Sequence, residues 1–137
     1  VKQFKCMTAK TVRVDKAQKS VTSRLYFKNA TAGVHHVTEV VKAIATYGNS
    51  RTPNSFKNNL PSARRITDYV IYSDQFCDLM NVPYKQNKKG CELWVRKIFV
   101  HNVPQCCLFM FKVFCASTSY ELYSLRECLR LKDALAE

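Results

Sequence analysis

Glycine is scarce in this chain, with three in 137 residues beside four prolines. No G-x-G-x-x-G or G-x-x-x-x-G-K stretch can therefore cradle phosphates, and neither H-E-x-x-H nor G-x-S-x-G occurs, which leaves no catalytic residues and no cofactor to assign. No cysteine pair has the C-x2-C spacing that structural zinc sites favour, so no metal is expected. Long apolar runs are also missing. The longest, Cys106 to Phe111, stops at Lys112, well short of the roughly 18 residues a helical membrane span needs. No initiator Met, signal peptide or lipidation motif is present, so Val1 and Glu137 are expected to be cuts in a longer protein, with residues 1–137 forming one domain.

Acidic residues are the other shortage, ten against 22 Lys and Arg, for a net charge of +12. The imbalance is not evenly spread. Residues 1–65 hold thirteen cations and only Asp15 and Glu39, a net +11, whereas residues 66–137 hold nine cations and eight acids, a net +1. A single-sign field of this size attracts acidic partners and repels basic ones. An acidic or phosphorylated protein segment, nucleic acid and an anionic lipid headgroup all fit that description, and an exposed strand edge would also permit self-association. Sixteen aromatics argue against a disordered basic tail.

Seven cysteines, an odd number without a secretion signal, read as small core hydrophobes of a reducing intracellular compartment, cytoplasmic or nuclear. Asp68, Asp74 and Asp78 could converge at strand ends, although acids near turns are usually solvated.

Hydrophobic periodicity divides the chain. Thr11–Asp15 and Ser23–Phe27 alternate as strands about a Lys16–Ser20 turn, with Phe4 and Cys6 in an earlier strand. Their cations border the apolar face, and alternation on a hairpin would gather several on one side. From Val34, apolar Val37, Val41, Ile44 and Ala45 recur at helical spacing and Gly48-Asn49 supplies a stop, which predicts an early helix. Residues 49–65, with two prolines, four asparagines and four cations, read as a long basic loop. Ile66–Tyr72, Phe76–Met80, Leu93–Val100 and Cys106–Cys115 read as strands, and Asn81–Gly90 as a polar connection. Thr118 to Glu121 matches a capping box, followed by an apolar stripe of Leu122, Leu125, Cys128, Leu129 and Leu135, which predicts a C-terminal helix. The expected class is α+β: a mostly antiparallel sheet or small open barrel with an early helix and a C-terminal helix packed on it.

Leu108–Thr118 running into Tyr120–Leu135, with Val70–Asp74 and Glu92–Val100 as middle strands, resembles the phosphotyrosine-binding domains of the pleckstrin-homology superfold. The end of the chain also resembles a polo-box-like domain. The first resemblance implies a non-enzymatic module that binds a peptide by strand addition beside the C-terminal helix. Arg64 and Arg65, whose guanidinium forks suit phosphate or carboxylate, lead the expected contacts. Arg51, Lys57, Lys85, Lys88 and Lys89 follow from the loops, and Arg13, Arg24 and Lys28 from the first strands. The alternative is a nucleic-acid-binding domain in which Tyr26, Phe27 and Phe56 stack bases above the same cations.

Overall fold

The computed structural model describes residues 4–29, 33–48, 51–59 and 65–128. Seven strands lie in one sheet in chain order: β1 (Lys5–Asp15), β2 (Ser20–Lys28), β3 (Val34–Ile44), β4 (Ser55–Asn59), β5 (Arg65–Ser73), β6 (Cys77–Asn81) and β7 (Cys91–Val95). Two helices follow, α1 (Gln105–Phe114) and the single turn α2 (Leu125–Cys128). The expectation of a mostly antiparallel sheet holds, and the helical content is small. The chain forms two compact units, one comprising Val1–Val41 with Tyr120–Glu137, the other Lys42–Ser119.

In the first unit β1 and β2 pair antiparallel through the expected turn, where Asp15 Oδ1 accepts the Gln18 amide at 3.0 Å and Lys19 takes a positive φ of 51°. The two short strands expected before that turn are one, β1. Its register with β2 slips between Lys5 and Thr8 and again between Thr11 and Arg13, one extra β1 residue each time. At the first slip Cys6 sits at φ 56°, a backbone region that L-residues avoid unless the surroundings hold them there. What holds it is a disulfide to Cys128, across a sequence separation of 122. Both half-cystines are 1% exposed and pack with Tyr123.

In the second unit β4 to β7 form antiparallel neighbours, and α1 packs on β6 and β7. Two disulfides fasten it there. Cys107, in its first turn, is bonded to Cys77 of β6, and Cys115, at its C-terminal cap, to Cys91 of β7. Between β6 and β7 the chain makes a tight connection in which Gln86, Asn87 and Lys88 all have positive φ. Gly90 closes it, since a Cβ there would lie 2.6 Å from Lys85 Cβ.

The structure corrects several readings of periodicity. The early helix is strand β3. Its helical spacing of valines competes with six β-branched residues in eleven, which suit a pleated surface better than a helix. His35 and His36 lie against Phe27 and Tyr26 of β2, with ring centroids 5.9 Å apart in each pair. The strand expected at Cys106–Cys115 is helix α1: the same alternation was compatible with either element, and the two disulfides decide it. The strand expected over Leu93–Val100 ends at Val95, after which Lys97–Phe99 forms a 3-10 turn. Part of the 49–65 loop is β4. The C-terminal helix does not begin at the capping box, because backbone carbonyls there have other donors. Thr118 O accepts from Gln86 Nε2 at 3.1 Å and Leu122 O from the Met7 amide at 3.2 Å. Leu129 and Leu135, also assigned to that helix, lie outside the described residues.

The cysteines are not reduced core hydrophobes. Six of the seven are paired, and four half-cystines stand beside Leu79, Met80 and Val82 as the buried apolar residues among those described. A core so small depends on cross-links that restrict the unfolded chain. Replacing Cys6 and Cys128 together by Ala should lower stability by about 2–5 kcal/mol, the cost usually seen when a native disulfide is removed from a small domain. Urea unfolding monitored by far-UV circular dichroism would show it as a lower midpoint.

Candidate binding site

The expected cations are carried by several elements of the two units. Arg64 lies outside the described residues, and of Arg65 only the backbone, opposite Asn59, is described. Lys57 is half-buried in β4 opposite Thr67, and Arg51 is exposed before that strand. Lys85, Lys88 and Lys89 share the β6–β7 connection, which Lys88 and Lys89 help to hold through their main-chain carbonyls. Lys85 pairs with Glu92 at 3.1 Å, Lys88 O accepts from Asn81 Nδ2 at 3.0 Å, and Lys89 O accepts the Ala116 amide at 3.0 Å. Arg13, Arg24 and Lys28 do come together, on one face of β1–β2. There Arg24 Nε is buried with no hydrogen-bond acceptor among the described residues, and Thr8 Oγ1 is buried without a partner likewise.

Two polar groupings in the second unit were not foreseen as sites. The first lies at the β5–β6 turn. Asp74 Oδ2 accepts the Tyr72 hydroxyl at 2.7 Å, and Oδ1 accepts the amides of Phe76 and Cys77 at 2.7 and 2.9 Å. The hydrogen bond from Tyr72 is the main reason the Asp74 carboxyl titrates below the usual carboxylate range, with the two amides reinforcing it against a partial burial cost. The same bond, with burial and the Cys106 thiol behind it, pushes the Tyr72 hydroxyl up to about 12. Cys106, the free cysteine, approaches Asp74 Oδ2 at 3.8 Å. Donor atoms of Asp74, Cys106 and Cys107 lie within 4.8 Å of one another, but the Cys107 sulfur is already bonded to Cys77, so this trio does not make a metal centre. The Cys106 thiol meets a carboxylate rather than the cation that activates a nucleophile. The cluster locks a turn. Of the acids that were thought to converge, Asp78 accepts from Ser73 at 2.6 Å and faces Arg96 at 3.7 Å, while Asp68 stands apart in mid-strand.

The second grouping is on β4–β5. Phe56 lies directly opposite Asp68, and Asn58, two residues on, shares that face. Asp68 Oδ1 and Asn58 Oδ1 are both buried acceptors. Beyond it the β4 entry is held by side chains: Thr46 Oγ1 donates to Asn54 Oδ1 at 2.9 Å and lies 2.8 Å from Ser55 Oγ, whose residue is 1% exposed. The sequence signal for this site was an acid and an amide flanking an aromatic in adjacent strands, legible only once β4 is known to exist.

A family model described as tick histamine binding protein matches residues 1–130 of the chain. The chain belongs to that family. This corrects the resemblance to phosphotyrosine-binding and polo-box-like domains, which rested on reading α1 as a strand. It also removes support for phosphopeptide and nucleic-acid recognition by an intracellular module. Together with three disulfides it places the protein in an extracellular, oxidising setting rather than a reducing compartment.

Because the folded-state carboxyl of Asp74 titrates low, its contribution to stability is present above the ordinary carboxylate range and is lost as pH falls below it. The Tyr72 contribution runs the other way, complete below the ordinary tyrosine range and lost as pH climbs toward 12. Tyr72→Phe should therefore raise the Asp74 carboxyl toward its ordinary value and bring the acid-side loss of stability to higher pH. A carbon-detected NMR titration of the Asp74 carboxyl, paired with thermal melts across pH, measures both.

Proposed function

We propose that this protein is an extracellular, non-enzymatic binding protein that captures a small organic amine, with histamine the first ligand to test. Membership of the tick histamine-binding family over residues 1–130 carries the reading. The β4–β5 face supplies fitting chemistry. At neutral pH a primary alkyl ammonium, like that of lysine, is a cation with three donors and no acceptor. Taking it out of water is costly unless a carboxylate receives it. Asp68 offers that carboxylate, Asn58 Oδ1 a second acceptor and the Phe56 ring a surface on which a cation or an imidazole can lie.

Isothermal titration with histamine should show saturable binding. Asp68→Asn, nearly isosteric but uncharged, should weaken it by about 10- to 100-fold, the range expected for losing a hydrogen bond to a charged group. Phe56→Leu should cost only a few-fold. A wild-type protein that ignores histamine, or an Asp68→Asn variant that binds it equally well, would sink this reading.

A further inference from the structure

The β1–β2 hairpin separates charge from apolar surface in a way that parity along the sequence would not. On β2, Arg24 and Lys28 are both even-numbered and share a face with Tyr26. On β1, the cations are Lys5, Lys10 and Arg13, and simple alternation would put Lys10 on the face opposite the other two. The two register slips prevent that. Lys5 lies opposite Lys28, Lys10 opposite Arg24 and Arg13 opposite Thr22, so all five cations line one face. The other face receives Ala9 and Leu25, Val14 and Val21, with Phe27.

This arrangement works against the hairpin's own stability. Like charges directly opposite on neighbouring strands repel, and here that happens twice, at Lys5 with Lys28 and at Lys10 with Arg24. Acids relieve only the ends: Glu127 reaches Lys5 at 3.5 Å and Asp15 reaches Arg13 at 3.9 Å. Lys10, Arg24 and Lys28 form no ion pair among the described residues. Arg24 Nε, in the middle of the row, is buried with its N–H unused. A row in which Arg24 stands between Lys10 and Lys28, none of them ion-paired among the described residues, is a site for anions that the described chain does not supply.

We propose that this face binds a sulfated polysaccharide. The cations are strung along the strands rather than clustered: Arg24 and Lys28 are four residues apart on β2, which at about 3.3 Å per residue separates them by roughly 13 Å. A single small anion would satisfy one row and leave the other repelling. A linear chain bearing sulfates at intervals neutralises both, and it is a polyanion of the extracellular, oxidising setting that the disulfides demand. The attraction is ionic, so bound counterions are exchanged and affinity falls as salt rises. This surface is distinct from the amine site proposed above and needs none of its residues.

The test is titration with size-defined heparin oligosaccharides at several salt concentrations, with desulfated heparin and phosphatidylserine vesicles in parallel. Wild-type protein should bind heparin with a log affinity that falls linearly with log salt, at a slope of about −3 to −5, and should not bind the desulfated form. Lys10→Ala with Arg24→Ala should reduce the slope by about 2 and the affinity at least about tenfold, whereas Lys88→Ala with Lys89→Ala should leave both unchanged. Lys10→Gln with Lys28→Gln, which leaves Arg24 in place, covers the case in which the arginine variant fails to fold; it should lose about 2 from the slope as well. Fold is checked by circular dichroism and by recovery of the Cys6–Cys128 peptide under non-reducing conditions. Equal binding of desulfated heparin, wild-type behaviour in both hairpin variants, or capture by the vesicles without heparin binding would each overturn the proposal.

Discussion

Three disulfides are the constraint on which the rest of this structure depends. The chain buries few apolar side chains, and half-cystines are prominent among those it does bury. A domain with so little hydrophobic burial gains its margin by making the unfolded state less free instead of making the folded state much richer in contacts. Each bridge also does something local. Cys77–Cys107 and Cys91–Cys115 hold the two ends of α1 to neighbouring strands, so a segment that could have continued the sheet lies across it. Cys6–Cys128 fastens the C-terminal turn to β1 at the residue whose backbone is least comfortable.

That discomfort has a use. Residue Cys6 is where β1 first slips against β2, and the slip is one of two that bring Lys5, Lys10 and Arg13 to the same side. A bulge moves every later side chain of its strand to the other face, because the side-chain period of a strand is two. The cross-link, the bulge and the cationic face are thus one construction. The charge asymmetry of the sequence becomes a surface by this means, and the nearly neutral remainder of the chain is left to carry Asp68, whose Oδ1 is buried.

Much of the sheet was legible in advance. The β1–β2 turn, the strands around Val70 and Leu79 and the polar connection ending at Gly90 are all where alternation and turn residues put them. The errors share a cause. Val34–Ile44 and Cys106–Cys115 carry apolar patterns short enough to fit either a strand or a helix, and each took the other element. For β3, a β-branched composition outweighed spacing; for α1, covalent bonds to two strands outweighed alternation. Alternation on the first hairpin implies that several of its cations share a side, and the register shows that they do, whereas Phe56, Asn58 and Asp68 come together only through β4, which the loop-like composition of residues 49–65 conceals.

Composition alone determined that the chain is basic in its first half, has no glycine-rich phosphate loop and carries one cysteine more than can be paired internally. These are properties of residue counts and survive any folding. Which cysteines pair, which cations share a face and which acid stands opposite an aromatic residue were decided by the tertiary structure. Each depends on register, and one inserted residue in a strand reverses the side on which everything after it stands.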